Sequence, residues 1–150
     1  MGLTKVTIIT VVYNNVEHIK NAIQSVLDQD YSNIEYIVID GNSNDGTISV
    51  IEEFEDQIEC FVSSPDKGIY DALNKGIDLS TGDIIGILHS DDLFIDRKVI
   101  SDMVENLESQ NAEFIFSDLK IGSGLFWPKG LSKSKSFNKL SLITLRSRET

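Results

Sequence analysis

The chain has 150 residues, 41% hydrophobic and 25% charged, enough for one globular domain with its own core. That mixture excludes a disordered acidic tail and a collagen-like fibre, and a single cysteine, Cys60, excludes an intramolecular disulfide or a thiolate zinc cluster. The net charge of −11 is unevenly spread: residues 1–119 hold 6 Lys/Arg against 23 Asp/Glu, and residues 120–150 hold 7 Lys/Arg against one acid, Glu149.

Taken in chain order, the pattern alternates strand and helix. Lys5 to Val12 is apolar and β-branched and predicts a buried strand. Ile19, Ala22, Ile23, Val26 and Leu27 fall on one helical face, with Asn14 and Glu17 spaced as a capping box before it. Ile34 to Ile39 predicts a second strand ending at Asp40, and Thr47 to Phe54 a short helix capped by Asp45. Ile58 to Val62 is a third strand. The spacing of Ile69, Ala72, Leu73, Gly76 and Ile77 gives a helix, and Asp83 to Leu88 a fourth strand. Ile100, Met103, Val104 and Leu107 mark another helix, and Phe114 to Phe116 begins a fifth strand that reaches Asp118. After about Ile121 the periodicity is lost.

Near-continuous apolar strands separated by helices predict an α/β fold with a mostly parallel sheet covered on both faces. Ligands of such sheets bind beyond the carboxyl ends of the strands, where Asp40, Asp91, Asp92 and Asp118 all fall. The adjacent pair Asp91-Asp92 suits a hard cation such as Mg²⁺ or Mn²⁺ with phosphate oxygens completing its shell; helix capping by Asp92 or Asp96 is the competing structural role. Asp40-Gly41-Asn42-Ser43-Asn44-Asp45-Gly46 is an Asx-rich turn in which Asp40, at a strand end, is the candidate for ligand contact. Asp66-Lys67-Gly68 precedes a helix start that suits an anion or a polar base edge, or simply caps the helix. Cys60 reads as core and His18 as solvated, while His89 is a candidate to orient a ligand.

Other classes fail on motif. No GxGxxG opens a helix after the first strand, and no GxxxxGK[ST] or GxSxG occurs. A phosphoacceptor receiver needs acids after its first and third strands, where this chain has Tyr13-Asn14 and Ser63-Ser64. The acidic body argues against nucleic-acid binding. No run of about 18 apolar residues spans a membrane, and no leader pattern opens the chain, so the expected compartment is the cytoplasm.

The ordered set T-I-I-T-V-V-Y-N-N (7–15), S-V-L-D-Q-D-Y (25–31), I-V-I-D-G-N-S-N-D-G-T (37–47), S-P-D-K-G-I-Y-D-A-L-N-K-G-I (64–77) and T-G-D-I-I-G-I-L-H-S-D-D (81–92) resembles the family 2 glycosyltransferases of the GT-A fold, bacterial enzymes of surface-polysaccharide synthesis in particular. The resemblance implies a Rossmann-like, mostly parallel sheet flanked by helices. It implies transfer of a sugar from a nucleotide-diphosphate donor, UDP-linked, to a glycan or lipid-linked acceptor. By the same resemblance, Val11 and Tyr13 line the nucleoside pocket, Asp40 hydrogen-bonds the base, Ser43 belongs to the nucleotide-binding set, and Lys67 and Gly68 lie in the segment that closes over the nucleoside. Asp91 faces the ribose, and Asp92 holds the divalent cation (Mn²⁺ or Mg²⁺). Val12 stands where the family often has Pro, His89 where it often has Asn, and Phe116-Ser117-Asp118 is an altered form of its Tyr-Gly-Asp strand end. No residue is assigned as catalytic base, because that carboxylate belongs to a later, acceptor-binding half. Residues 1–119 are therefore expected to be the nucleotide-sugar-binding half. Residues 120–150 are expected to be either a truncated or out-of-frame end, or a native basic tail touching an anionic membrane at its inner face. A remnant that binds nucleotide-sugar without turnover is the alternative to an active transferase.

Overall fold

In the computed structural model, which describes residues 2–111, residue 115 and the backbone of residues 146–147, the apolar runs become parallel strands. They are β1 (Val6–Val12), β2 (Ile34–Asp40), β3 (Cys60–Ser63) and β4 (Ile84–Ile87), joined in the order β3-β2-β1-β4. A two-residue strand, β5 (Arg146–Ser147), adds antiparallel to β4. Helices α1 (Ile19–Leu27), α2 (Thr47–Glu52), α3 (Ile69–Leu79) and α4 (Val99–Gln110) connect or follow the strands.

The strand period of two divides the core into layers. Val6, Ile8 and Val12 of β1 face one way, into a cluster with Ile19 and Ile23 of α1, Ile51 of α2 and Met103 of α4. Ile9 and Val11 face the other way, with Ile37 and Ile39 of β2, against Ala72 of α3. The predicted helical stripe of α3 needs correction here. Ile69 is 48% exposed and Ile77 37%, while Ala72 and Gly76 are buried. The helix lies so close to the sheet that a Cβ on Gly76 would sit 2.5 Å from Ile9 Cγ2, so small residues make the contact.

Register shapes the carboxyl edge of the sheet. β1 runs flush with β2 over all seven residues, from Val6 beside Ile34 to Val12 beside Asp40. β4 matches only Val6 to Ile9. The last ladder-like bond, Leu88 N–H to Ile9 O at 3.0 Å, is followed by a turn away from the sheet. Thr10 to Val12 thus extend past β4, leaving a notch beside the end of β1.

Two predicted caps do not form. Asn14 takes φ +46° and its Oδ1 accepts the Asn44 N–H at 2.9 Å, and the N-cap of α1 is His18, with no side-chain cap. The N-cap of α2 is Gly46, at φ +102°, and Asp45 instead accepts the Thr47 N–H from the position before it. In both cases loop–loop bonding wins over local capping. Ser43 Oγ, Thr47 Oγ1 and Asp45 Oδ2 accept the N–H groups of Asn14, Asn15 and Val16, knitting the ends of β1 and β2 together. The predicted strand from Phe114 and Asp118 lie outside the described residues, except that Ile115 packs on the larger cluster.

At the opposite, amino end of the sheet a buried carboxylate joins three segments. Glu35 Oε1 accepts Lys5 Nζ at 2.8 Å and Oε2 accepts the Thr81 N–H at 2.8 Å, with the Thr7 and Thr81 hydroxyls also donating. Burial alone would raise the carboxyl's pKa, but Lys5, Thr7 and Thr81 more than offset it and hold it at about 2. No helix among the described residues is long and apolar enough to cross a membrane.

Candidate functional site

The notch opens into a cleft of about 190 Å³ at the carboxyl ends of the strands. Its floor is Val11, Val12 and Ala72; its walls are Tyr13 after β1, Asp66 and Ile69 after β3, and His89, Ser90 and Asp91 after β4. In the strand order β3-β2-β1-β4, Asp66 comes after β3, Tyr13 after β1 and Asp91 after β4. Tyr13 is 64% exposed, so one aromatic face is available for stacking. Ser90 is nearly buried and its Oγ accepts the Asn15 amide at 2.9 Å, which pins the loop carrying Asp91 to the end of β1.

Of the residues expected in the site, Val11, Tyr13 and Asp91 line this cleft. Asp40 does not. It is fully buried, and its carboxylate accepts the Ser43 N–H at 3.0 Å, the Ser43 hydroxyl, and the Ser63 hydroxyl at 2.6 Å. Asp40 and Ser43 therefore fold the loop after β2 on themselves and onto β3. Lys67 and Gly68 sit at the mouth, on an exposed turn where Gly68 adopts φ +109°. The turn is held by Asp66 Oδ1, which accepts the Gly68 N–H at 2.9 Å, and by Asp71, which accepts the Lys67 N–H at 3.1 Å. That N–H, with the Lys75 ammonium 3.4 Å away, keeps the Asp71 carboxyl below its ordinary range. Lys75 also donates to Pro65 O at 3.0 Å, bracing the segment from behind.

Asp92 is half-buried, and its N–H donates to His89 O at 3.0 Å in the turn that closes the motif. Helix capping does not explain it, because α4 begins only at Val99 and Asp96, not Asp92, accepts a backbone N–H at its start, that of Lys98. Among the described residues no three His, Cys, Asp or Glu side chains gather as a metal cluster.

Sequence reasoning passed over Asp66, Ile69 and Ala72 as lining residues. Asp66 carried the same signal as Asp40 and Asp91, an acid just past the carboxyl end of a strand. Gly41 explains why it reaches the cleft. A Cβ there would stand 2.7 Å from Asp66 Oδ2 and 3.3 Å from Tyr13 Cδ2, so only glycine leaves room for both side chains.

The family model described as Glycosyl transferase family 2 matches residues 7–147. The chain belongs to that family. A glycosyltransferase of Haemophilus influenzae is 31% identical over 150 residues, covering 95% of this chain and 58% of the relative. WfaP of Escherichia coli, described as a UDP-Glc:alpha-D-GlcNAc-diphosphoundecaprenol beta-1,3-glucosyltransferase, is 33% identical over 117 residues, 77% of this chain and 46% of its own. The mannosyltransferase PcManGT of Pyrobaculum calidifontis, solved with GDP-Man and Mn²⁺, superposes with a TM-score of 0.72 at 25% identity, over 78% of this chain and 36% of that one. S. aureus TarS 1-349, solved with UDP-GlcNAc, shares the fold at a TM-score of 0.75, 20% identity and 83% coverage, with 37% of its own chain covered. This family 2 chain thus has the GT-A architecture of transferases, and it spans 40–58% of the length of these curated relatives and of a Mycobacterium tuberculosis glycosyltransferase 37% identical to it.

Proposed function

We propose that this chain forms the donor-binding part of a metal-assisted glycosyltransferase that takes a sugar from a UDP-linked donor and passes it to a glycan or lipid-linked acceptor in polysaccharide synthesis. The observation that carries the reading is the cleft itself. It places an apolar floor, an exposed Tyr13 ring and Asp91 at the carboxyl end of a parallel sheet, in a chain whose relatives use nucleotide sugars.

Tyr13 stacks on the base, Val11 and Val12 form the apolar bed beneath the nucleoside, and Asp91 accepts the ribose hydroxyls. Asp40 and Ser43 support the site by holding the loop after β2, and Lys67-Gly68 borders its mouth. The residues present fit a divalent cation of the Mn²⁺ or Mg²⁺ type. Asp92 and its neighbour Asp91 offer hard oxygens, and an ion of this type completes its shell with phosphate oxygens and water. Such a cation, when bound, supplies charge neutralisation for the departing nucleoside diphosphate, which a body of net charge −17 over residues 1–119 would otherwise repel. The cytoplasmic face of a membrane is the setting that a lipid-linked acceptor implies, with the basic residues of 120–150 as its contact.

UDP with Mn²⁺ is expected to raise the melting temperature of the chain, and Asp92→Ala to abolish the rise. A chain that no nucleotide–metal pair stabilises does not have this site. Because the chain spans only 40–58% of the length of the curated relatives named above, binding and turnover are separate claims. Release of UDP from UDP-sugars above the Asp92→Ala background establishes turnover; binding without release assigns the chain the binding role alone.

A further inference from the structure

We infer that Asn15, which lines no part of the cleft, is a positioning residue for the cation: its side-chain amide holds the loop that carries Asp91 and Asp92 where their carboxylates can share one ion. The inference rests on the donor-site reading above and goes beyond it by giving the acidic pair a support from outside its own loop.

β4 stops at Ile87, and once the Leu88 N–H has bonded to Ile9 O at 3.0 Å the chain turns away from the sheet. Asp91 and Asp92 therefore stand on a loop that the strand ladder does not orient. Two anchors tie this loop to α1 and the residues before it. Beyond the acids, the Phe94 N–H donates to Ser25 Oγ at 3.1 Å, and Phe94 is buried. Ahead of them, Ser90 Oγ accepts the Asn15 amide at 2.9 Å. Ser90 is only 9% exposed, so water competes little for that bond, and Asp91 is the very next residue.

Asn15 is itself fixed through its main chain. Its N–H donates at 2.9 Å to Oγ1 of Thr47, a fully buried residue whose hydroxyl passes on to Asp45. Its carbonyl accepts the Ile19 N–H at 3.1 Å in the first turn of α1. The loop after β2, the start of α1 and the loop after β4 thus meet in one residue, and a side chain on so fixed a backbone aims the loop it holds. Truncating Asn15 leaves the main-chain bonds in place and removes the one that reaches the acidic loop. Two carboxylates brought to one ion repel each other, so a loop that has lost this tie relaxes by letting them separate. Outer partners of this kind commonly carry 10–100-fold in metal affinity.

The test measures, on the full chain, the Kd of UDP with and without Mn²⁺, and amide hydrogen exchange over residues 89–93 of the metal-free protein. The proteins compared are the wild type, Asn15→Ala, Ser90→Ala, the double variant and Glu35→Gln. Asn15→Ala is expected to cut the gain in affinity from Mn²⁺ by about tenfold while the metal-free Kd stays within about twofold of the wild type. It is also expected to quicken exchange over residues 89–93. Ser90→Ala, which removes the acceptor, is expected to lose the same gain, and the double variant no more than either single one. Glu35→Gln, whose loss of stability lies at the opposite end of the sheet, is expected to keep the wild-type gain. A Mn²⁺ gain that survives in Asn15→Ala, with only the melting temperature lowered, overturns the inference and makes Asn15 a structural tie. Losses that add in the double variant overturn it as well, because the two residues then act separately, and so does exchange that is the same in Asn15→Ala and the wild type. A wild type that binds UDP no more tightly with Mn²⁺ removes the donor-site reading itself, a result distinct from a wild type in which Mn²⁺ acts and Asn15→Ala keeps the full gain.

Discussion

Asp40 shows how a residue can stand at the expected place and do different work. Its position at the end of β2 suggests ligand contact, yet the structure surrounds its carboxylate with donors from its own loop and from β3. Removing it would leave the buried Ser43 N–H and hydroxyl without an acceptor. Asp40→Ala is therefore expected to lower folding stability by about 2–3 kcal/mol in urea titration, whether or not nucleotide is present. An unchanged midpoint would mean that water replaces the carboxylate. Asp66 is the converse case. It lines the cleft, yet sequence reasoning passed over it although it follows a strand as Asp40 does, because the Gly68 turn that it holds and the room left by Gly41 are not written in any spacing rule.

At the scale of elements, strands β1 to β4 and the helices between them follow from apolar periodicity, because burial on both faces leaves long β-branched runs. Periodicity misjudged α3 for a physical reason. It counts large apolar residues, whereas this helix meets the sheet through Ala72 and Gly76 and turns Ile69 and Ile77 outward. Gly76→Ala separates the two effects. Helix propensity alone would favour alanine by about 1 kcal/mol. The added Cβ, 2.5 Å from Ile9 Cγ2, forces the helix off β1, and overpacking of this kind costs about 1–3 kcal/mol. The expected net result is destabilisation, measured as a lower melting temperature. The caps at Asn14 and Asp45 were misread for a related reason: loops distant in sequence supply the hydrogen bonds, and local motifs cannot register them.

At the scale of the whole molecule, the cleft and the buried Glu35 cluster occupy opposite ends of the sheet. Glu35 has a pKa of about 2 in the folded protein against an ordinary 4.5. Its contribution is complete above about pH 4.5 and is lost as pH falls toward 2. With Lys5 partly solvent-exposed, that contribution is roughly 2–3 kcal/mol. Glu35→Gln is expected to flatten the acid limb of the stability curve in denaturant titrations between these pH values. Nucleotide preference at neutral pH should not change, since no Glu35 partner lines the cleft. An acid limb as steep as the wild type's would show that other carboxylates carry it.

The early end of β4 has a consequence for how the cleft can be probed. Ile9 O points toward β4, and the backbone of Val11, two residues on, points to the same side, where that strand has already turned away. The peptide N–H and carbonyl of Val11 are thus offered to whatever fills the notch. No codon change removes the carbonyl, and only one to proline removes the N–H: every other substitution at Val11 alters just a side chain packed with Ala72 of α3. Alanine scanning would report the loss of a buried side chain from the core and the cleft floor and would not register what the main chain contributes. Replacing the Val11 amide by an ester in a semisynthetic chain, which deletes that one donor, is the experiment that would expose it.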